Sequence, residues 1–179
     1  MGLEMKLQRV LETERLYLRS FCEEDADRVQ SIVGDKRISD MVSNIPHPYP
    51  EGGALSWIRI SLENFQQGKN VVYAVIAKDT NLVVGAMSFK LLPDSEAEIG
   101  YWLGVDYWGK GYCTEAAKAL IAYGLSDLKL KRLMGRHLTV NPDSGNVLTK
   151  LGMKHFDSCE GECGDKFANI EFYELFANA

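Results

Sequence analysis

A turn with two glycines, Trp108 to Gly111, lies between a strand pattern and a helix pattern in the middle of the chain. The first turn of a helix carries unpaired N–H groups and a partial positive charge, which together attract an anion. Glycines let the backbone adopt left-handed angles and let a ligand approach closely. These residue types in this order predict an anion site that suits a pyrophosphate.

Other interpretations of this turn follow from the same residues. Gly104, Gly109 and Lys110 nearly form a P-loop, but that motif places Ser or Thr directly after the Lys to hold Mg²⁺. Gly111 stands at that place. The dinucleotide pattern G-x-G-x-x-G fails as well, because Thr114 occupies the place of the third glycine. At this point the residues also allow a third interpretation, in which the turn only joins a strand to a helix and binds no ligand.

Periodicity along the chain predicts the elements that hold this turn in place. We expect strands over 15–21, 71–77, 82–91, 97–105, 132–140, 153–157 and 167–176, and helices over 23–33, 51–67, 113–128 and 143–151. The run Val71 to Ala77 is almost wholly apolar, which is typical of a strand buried on both faces. The closely spaced turns after it indicate antiparallel pairing, and the later strand–helix–strand crossover indicates a parallel pair.

These elements predict an α/β (α+β) fold in a single domain spanning 1–179. The expected sheet is mixed, mostly antiparallel, with about six to seven strands and helices on both faces. A length of 179 residues and a hydrophobic fraction of 46% are sufficient for one such core. The formal net charge is -5 and no basic run occurs, which disfavours a nucleic-acid-binding protein. No apolar run resembles a leader or spans a bilayer, so we expect a cytoplasmic protein without a membrane partner.

Three residues near the C-terminus, His155, Cys159 and Cys163, form the pattern H-x-x-x-C-x-x-x-C and invite a zinc interpretation. A further ligand and the usual close pair of cysteines are missing. Free thiols are also the ordinary state of cysteine in a cytosolic protein. We therefore expect no metal site, and a polar hairpin tip at this place.

The glycine turn resembles the acyl-CoA-binding motif of the GNAT superfamily, which is written Q/R-x-x-G-x-G/A. Trp108 takes the Q/R place, Gly111 the central glycine and Cys113 the final Gly/Ala, so both ends depart from the general pattern. The run W-G-K-G-Y is nevertheless similar to the branch of ribosomal-protein N-terminal acetyltransferases, the Rim-type branch. In that family the backbone N–H groups of this turn hold the CoA pyrophosphate, and main-chain donors tolerate a change of side chain.

A second block, Asn141 to Met153, resembles the family pattern N-x-x-S-x-x-V-L-x-K-L-G-F/M. Glu12 to Arg19 and Ile45 to Tyr49 also look like this branch, so the resemblance spans nearly the whole chain. It implies a GNAT-like fold and an enzyme that transfers an acetyl group from acetyl-CoA to a primary amine, on a protein N-terminus or a small molecule. The implied acetyl-CoA contacts are Leu103, Val105, Trp108, Gly109, Lys110, Gly111, Tyr112, Cys113, Thr114, Asn141 and Asn146.

The amine must lose a proton before it attacks the thioester, so this chemistry needs a base or a water chain. Glu98 is the candidate base, because members of the family often carry a Glu at the matching position. Alternation along the strand places Glu98 on the same face as Trp102. The alternative interpretation, that Glu98 only faces solvent at an exposed strand end, is not decided by the sequence. Glu96 is the next candidate, and Glu115 is a lesser one because helix polarity explains it.

The departing thiolate needs a proton or a positive environment. In the Rim-type branch, the role of proton donor has been assigned to a Ser that matches Ser144. Many GNAT enzymes use a Tyr in the same helix, but this chain has Leu148 at that place. Asp143 or Ser144 could instead cap the helix that begins there. Asn141 matches a family residue that contacts the pantetheine arm, and its alternative is a turn residue before Pro142.

Acceptor specificity is expected in the loop Pro46 to Tyr49, in the helix after it and in the last hairpin. His47 could contact the acceptor, and Trp57 and Trp102 could line a pocket, although core packing is the ordinary role of a tryptophan. A module that binds acyl-CoA without catalysis is the alternative from another class, and a P-loop nucleotide hydrolase is a more distant one. The chain is expected to be a monomer or a homodimer.

Overall fold

The computed structural model describes residues 7–163 and 166–177, with the side chains of 163 and 166 excepted. Within this part the strands are β1 (Leu11–Glu12), β2 (Leu16–Arg19), β3 (Asn70–Ala77), β4 (Leu82–Leu92), β5 (Glu96–Leu103), β6 (Arg132–Leu138), β7 (Lys154–Cys163) and β8 (Lys166–Phe176). The helices are α1 (Ala26–Val33), α2 (Lys36–Met41), α3 (Gly53–Gln66), α4 (Tyr112–Ser126) and α5 (Pro142–Lys150). None of the helices in the described residues is long and apolar enough to cross a membrane.

All the strands of the described residues join one sheet, in the order β1-β2-β3-β4-β5-β6-β8-β7. Neighbouring strands are antiparallel except for β5 and β6, which run parallel because α4 crosses back between them. The expected mixed, mostly antiparallel fold is confirmed. This 8-stranded sheet has one strand more than the upper count expected, because β1 is 2 residues long and leaves no periodic pattern.

Helices cover both faces of the sheet, and β3 shows how the sequence achieves this. Every residue from Val71 to Ala77 is buried, as the unbroken apolar run predicts. Tyr73 belongs to a core with Leu120 of α4, whereas its neighbour Ala74 belongs to the core on the other face with Ile58 of α3. Successive side chains of this one strand thus point to opposite faces of the sheet and contribute to two separate cores.

The sequence pattern does not predict α2, which spans Lys36–Met41. Its 6 residues contain too few apolar positions to show a helical period. Asp35 starts the helix, because its side chain accepts a hydrogen bond from the Arg37 amide at 2.9 Å. The helix matters for the site, since the Met41 carbonyl accepts a hydrogen bond from the side chain of Asn141 at 3.0 Å.

β7 and β8 form the terminal hairpin, and β7 reaches further than the sequence pattern predicts. It continues to Cys163 rather than ending at 157. An edge strand with mostly exposed side chains has no apolar alternation that would mark its length. Gly164 and Asp165 of the expected polar tip lie outside the described residues.

The residues of the H-x-x-x-C-x-x-x-C pattern, for which no metal site is expected, are placed as follows. His155 Nε2 lies 2.7 Å from Glu171 Oε2, and Cys159 is exposed. The side chain of Cys163 lies outside the described residues. In the described part of the chain, no group of three or more His, Cys, Asp or Glu is arranged to hold a metal ion.

Candidate active site

β5 and β6 pair over only part of their length. Glu96 to Ile99 pair with Arg132 to Gly135, where the ladder between the two strands ends. Beyond this point β5 continues along β4, and β6 continues along β8. The sheet therefore opens between its two parallel strands, and each strand presents an unpaired edge to the opening.

A cleft of about 530 Å³ fills this opening and extends to the start of α4. Its walls come from β5, β6, the glycine turn, the first turn of α5 and the end of α2. Elements that are far apart in the sequence thus meet around one groove, and the loops that carry motif residues are placed by a fixed sheet.

The glycine turn has the backbone geometry that the sequence predicts. Gly109 has a φ of 71° and Gly111 a φ of 78°, angles that residues with a Cβ rarely adopt. The Glu115 amide donates to the Gly111 carbonyl at 3.0 Å, which is the first hydrogen bond of α4. The amides of 112–114 precede this bond, at the place where a helix attracts an anion.

Most residues that the resemblance assigns to acetyl-CoA line this cleft. They are Leu103, Trp108, Gly109, Gly111, Tyr112, Cys113, Thr114, Asn141 and Asn146. Val105 and Lys110 do not line it. Val105 packs against the core on the α1–α3 face, and the Lys110 carbonyl accepts a hydrogen bond from Arg15 at 2.9 Å. Contacts of these two residues with acetyl-CoA stay predictions.

Cys113 and Leu148 are two positions where this chain departs from the family patterns. Burial raises the pKa of the Cys113 thiol to about 12, so this group stays protonated at neutral pH. Leu148 is fully buried, and a Cβ on Gly135 would lie 2.7 Å from its Cδ2. Core packing therefore occupies this position, and Leu148 offers no proton donor to the cleft.

Glu98 forms an ion pair with Arg136 at the cleft wall. Glu98 Oε1 lies 2.9 Å from Arg136 Nε, and the two side chains are 30% and 39% exposed. Alternation along β5 places Glu98 on the same face as Trp102, which packs against the α1–α3 core as predicted. The carboxylate is thus held by a cation at the opening rather than left free in solvent.

The other two carboxylates considered as bases have structural partners. Glu96 lies 3.4 Å from Arg132 and does not line the cleft. Glu115 accepts hydrogen bonds from the Thr13 hydroxyl at 2.7 Å and from the Arg15 amide at 2.8 Å. Burial alone would raise the pKa of Glu115, but the hydrogen bonds from Thr13 and Arg15 outweigh it and lower that pKa. Glu115 thus ties α4 to the start of β2.

Ser144 contacts a tyrosine that the sequence pattern does not single out. The Tyr101 hydroxyl lies 2.9 Å from Ser144 Oγ and 3.1 Å from the Ser144 carbonyl oxygen. Burial raises the pKa of Tyr101, so the phenol keeps its proton at neutral pH. Tyr101 packs on the face of β5 opposite Glu98, and both residues line the cleft. Two hydroxyl groups therefore meet on one side of the opening, and an ion-paired carboxylate lies on the other.

Asn141, rather than Asp143 or Ser144, caps α5. Its Oδ1 accepts a hydrogen bond from the Ser144 amide at 3.2 Å. The expected cap at Asp143 or Ser144 is wrong because Pro142 takes the first helical position, which places Asn141 directly before the helix. The Asn141 side chain also donates to the Met41 carbonyl at 3.0 Å, so both ends of its amide have partners within the protein.

Arg136 and His137 are further cleft residues that the sequence pattern does not identify. His137 Nδ1 donates to the Leu138 carbonyl at 2.8 Å, which fixes the protonated nitrogen of the neutral ring. Its Nε2 faces Gly145, where an added Cβ would lie 2.6 Å away. Alternation along β6, combined with the parallel pairing to β5, is the signal that could have placed Arg136 near Glu98.

A second cavity of about 780 Å³ lies on the α1–α3 face of the sheet. It shares Gly100, Tyr101 and Trp102 with the cleft, so the two spaces adjoin at β5. Tyr49 and Trp57 also line it. The rings of Trp57 and Trp102 lie with centroids 6.2 Å apart, so both tryptophans contribute to packing and to the cavity wall.

Other residues expected to contact the acceptor lie elsewhere. His47 lines neither the cleft nor the second cavity. The described residues of the β7–β8 hairpin line neither space either. Acceptor contacts from His47 and from this hairpin stay predictions.

Comparison with known proteins identifies the family. Residues 15–154 match the family model described as the acetyltransferase (GNAT) domain. The chain is 32% identical over 146 residues to the uncharacterized N-acetyltransferase p20 of Bacillus licheniformis, covering 80% of this chain and 82% of that protein. It is 26% identical over 151 residues to the ribosomal protein uS5-alanine N-acetyltransferase of Escherichia coli K12, covering 80% of this chain and 77% of that protein.

A solved structure gives the same fold. The coenzyme A complex of RimL, a ribosomal L7/L12 alpha-N-protein acetyltransferase, matches with a TM-score of 0.85 and 16% identity, over 94% of this chain and 98% of that chain. At this identity the likeness supports the fold alone. The family match decides against the P-loop interpretation of the glycine turn. The chain belongs to the GNAT acetyltransferase family and is an acetyl-CoA-dependent N-acetyltransferase.

Proposed function

We propose that the chain transfers the acetyl group from acetyl-CoA in the cleft to a primary amine that reaches the thioester from the second cavity. The opening between β5 and β6 carries this proposal, since Gly100, Tyr101 and Trp102 line the spaces on both sides of it. A thioester placed in the opening is accessible from both faces of the sheet. The two substrates would then meet in one ternary complex.

The glycine turn provides the phosphate site in this proposal. The positive φ angles of Gly109 and Gly111 leave the backbone open, and nothing lies within 4 Å of a Cβ built on Gly109. The unpaired amides at the start of α4 would hold the pyrophosphate, and the helix dipole favours its negative charge. The pantetheine arm would follow the unpaired edges of β5 and β6, where backbone groups still need hydrogen-bond partners.

Glu98 takes the proton of the amine, directly or through a water molecule. Its contact with Arg136 at 2.9 Å holds the carboxylate at the side of the opening from which the amine arrives. As the amine nitrogen bonds to the thioester carbonyl carbon, its proton passes to Glu98 and the carbon–sulfur bond breaks. A base in this position typically contributes about 10²–10⁴-fold to the rate.

Ser144 gives its proton to the departing thiolate and takes one back from water, while Glu98 releases the amine proton to water. Tyr101 acts through Ser144 as a positioning residue. When the Tyr101 hydroxyl donates to Ser144 Oγ, 2.9 Å away, the Ser144 proton is free to point into the cleft. This pair replaces the tyrosine that other members carry at the place of Leu148. The proposed mechanism uses no metal ion.

The acceptor in this proposal is the α-amine of a protein N-terminus or a small-molecule primary amine. The E. coli relative that is named for alanine of ribosomal protein uS5 supports the first of these, and its identity of 26% limits the support to the class of acceptor. A monomeric or homodimeric state, a cytoplasmic location and a single domain over 1–179 also stay predictions.

Release of the CoA thiol measures the proposed reaction directly. The purified protein is mixed with acetyl-CoA and a panel of peptide and small-molecule primary amines, and mass spectrometry identifies the acetylated product. We expect thiol release that depends on the amine and equals the amount of acetylated product. Thiol release that no amine increases, or no release with any amine, would contradict the proposed transfer.

A further inference from the structure

The second cavity is bounded by strands on one side and by α3 and the loop before it on the other. Small residues on β4 and β5, Ala86, Ser88 and Gly100, leave room above the sheet. Tyr49 and Trp57 form apolar walls opposite them. The cavity therefore suits a ligand with an apolar middle part.

Among the described residues, the charged ones that line this cavity are the exposed Lys69 and Lys90, and no carboxylate of this part of the chain lines it. The ion pairs formed within residues 7–163 and 166–177 involve neither lysine. This local positive charge contrasts with the formal net charge of -5 of the whole chain. The local charge governs the ligand, because distant surface charges are screened beyond about 10 Å.

Asn70 also lines the cavity, and its side chain carries a buried acceptor. Its Oδ1 is buried and has no hydrogen-bond partner among the described residues. A buried acceptor without a partner is unfavourable, since it loses its hydrogen bond to water and gains none in return. Because Oδ1 is closed to a water-sized molecule, a ligand in the cavity does not reach it, and recognition of the ligand falls to the lysines.

Asn70, Lys90 and Glu98 stand side by side across three strands. The registers pair Asn70 with Lys90, and Lys90 with Glu98. Neighbouring strands are about 4.8 Å apart, so the backbone positions of Glu98 and Asn70 are separated by roughly 10 Å along this row. A molecule with its amine at Glu98 therefore reaches Lys90 and Asn70 within a short chain length.

We infer that the acceptor amine carries an anionic group, such as a carboxylate, several bonds away from the reacting nitrogen. This inference rests on the proposed function, because it takes Glu98 as the place of the amine. The anion contacts Lys90 and Lys69, and the carbon chain lies against Trp57. A diamine would place a second cation beside the lysines.

Two matched sets of amines test this inference. δ-Aminovalerate, its primary amide and cadaverine have chains of similar length that end in an anion, a neutral group and a cation. Dipeptide amides of serine followed by glutamate, glutamine or lysine make the same comparison for a peptide. We expect kcat/KM to fall from anion to neutral to cation, with about five- to tenfold between the first two, as two exposed ion pairs provide together. The set that is turned over distinguishes a small molecule from a peptide.

Lysine variants show whether these two side chains cause the preference. Combined Lys69→Met and Lys90→Met should bring the kcat/KM ratio of the anionic to the neutral amine down to about one, since no partner remains for the anion. Lys118→Met is the matched control, because Lys118 is exposed on α4, on the opposite face of the sheet, and the change removes the same charge. The control should keep the wild-type ratio.

Several results would overturn the inference. Equal kcat/KM values within each set, or a preference for the cationic amine, would do so. So would turnover of none of these amines, or a preference for the anionic amine that persists in the combined lysine variant. Calorimetric titration of acetyl-CoA into the same protein separates this failure from that of the proposed function. If acetyl-CoA binds but the amines are not preferred in the expected order, only the inference about the acceptor is overturned. If acetyl-CoA does not bind, the proposed function is overturned.

Discussion

The Tyr101 hydroxyl lies 2.9 Å from Ser144 Oγ and 3.1 Å from the Ser144 carbonyl oxygen. The single phenolic proton can be directed at only one of these two oxygens. If it goes to the carbonyl, Ser144 donates its own proton to Tyr101. If it goes to Oγ, the Ser144 proton is free to face the cleft. Tyr101 therefore sets the direction in which Ser144 donates.

Removing either hydroxyl should slow the reaction in a coupled way. We expect Tyr101→Phe to lower kcat about tenfold and Ser144→Ala about a hundredfold, with the KM for acetyl-CoA little changed. Because Tyr101 acts through Ser144, the double variant should be no slower than Ser144→Ala alone. Steady-state detection of the CoA thiol measures these rates, and losses that multiply would contradict the coupling.

An acetyl donor with a better leaving group provides the control for this pair. A selenol ionises more readily than a thiol, so acetyl-seleno-CoA should need little help from a proton donor. Tyr101→Phe and Ser144→Ala should approach the wild-type rate with that donor. Equal slowing with the thioester and the selenoester would show that the two hydroxyl groups do not protonate the leaving group.

Glu98→Gln should lower kcat by about 10²–10⁴-fold and leave acetyl-CoA affinity nearly unchanged, because glutamine keeps the size of the side chain but cannot take a proton. Glu96→Gln is the matched control, since Glu96 lies on the same strand and pairs with Arg132 at 3.4 Å outside the cleft. The rate of CoA release and the calorimetric affinity are measured for both. Equal losses in the two variants would rule out Glu98 as the base.

Gly111→Ala should weaken acetyl-CoA binding about tenfold or more, because the new Cβ displaces the backbone that holds the phosphates. Gly52→Ala is the control, since Gly52 has a φ of 69° directly before α3 and nothing within 4 Å of an added Cβ. Both changes should cost about 1–2 kcal/mol of stability, measured by urea unfolding. Similar acetyl-CoA affinities for the two variants would contradict the phosphate site.

The helices and long strands could be predicted because apolar residues recur at regular spacing along them or, in Val71 to Ala77, form an unbroken run. The short elements could not, since Lys36–Met41 and Leu11–Glu12 are shorter than the repeat that would mark them. Periodicity tells which face a residue occupies, but not which strand it pairs with. For this reason the opening between β5 and β6 emerges only from the structure.

Site residues that belong to a sequence motif could be predicted, whereas residues that meet only because of the fold could not. Gly111 and Ser144 stand in recognisable motifs, and both line the cleft. Tyr101 meets Ser144 across a sequence separation of 43 residues, so local spacing gives no sign of the contact. The capping role of Asn141 depends on Pro142 at the first helical position, a detail that a motif comparison leaves open.

Glu115→Gln should lower the free energy of unfolding by about 1–2 kcal/mol at neutral pH, because the carboxylate loses charged hydrogen bonds to Thr13 and Arg15. Folding lowers the pKa of Glu115 below its ordinary value of 4.5. The stabilisation is therefore complete above 4.5 and is lost as the pH falls through the lower value of the folded state. Urea unfolding of wild type and variant over a series of pH values measures the difference.

Glu12→Gln is the control for this pH dependence. The Glu12 side chain is 62% exposed beside Lys78, so its removal should change stability very little. A Glu115→Gln difference that stays constant into strong acid would contradict the assigned role of its charge. So would a loss of stability in Glu12→Gln as large as that in Glu115→Gln.

Calorimetric titration with acetyl-CoA tests most directly whether the cleft between β5 and β6, with the glycine turn at its end, is the acetyl-CoA site. ATP with Mg²⁺ is the control ligand, because Gly104, Gly109 and Lys110 approach a P-loop. We expect one-to-one binding of acetyl-CoA, weaker binding by Gly111→Ala and no binding of ATP. Binding of ATP with Mg²⁺, or no binding of acetyl-CoA, would contradict this assignment.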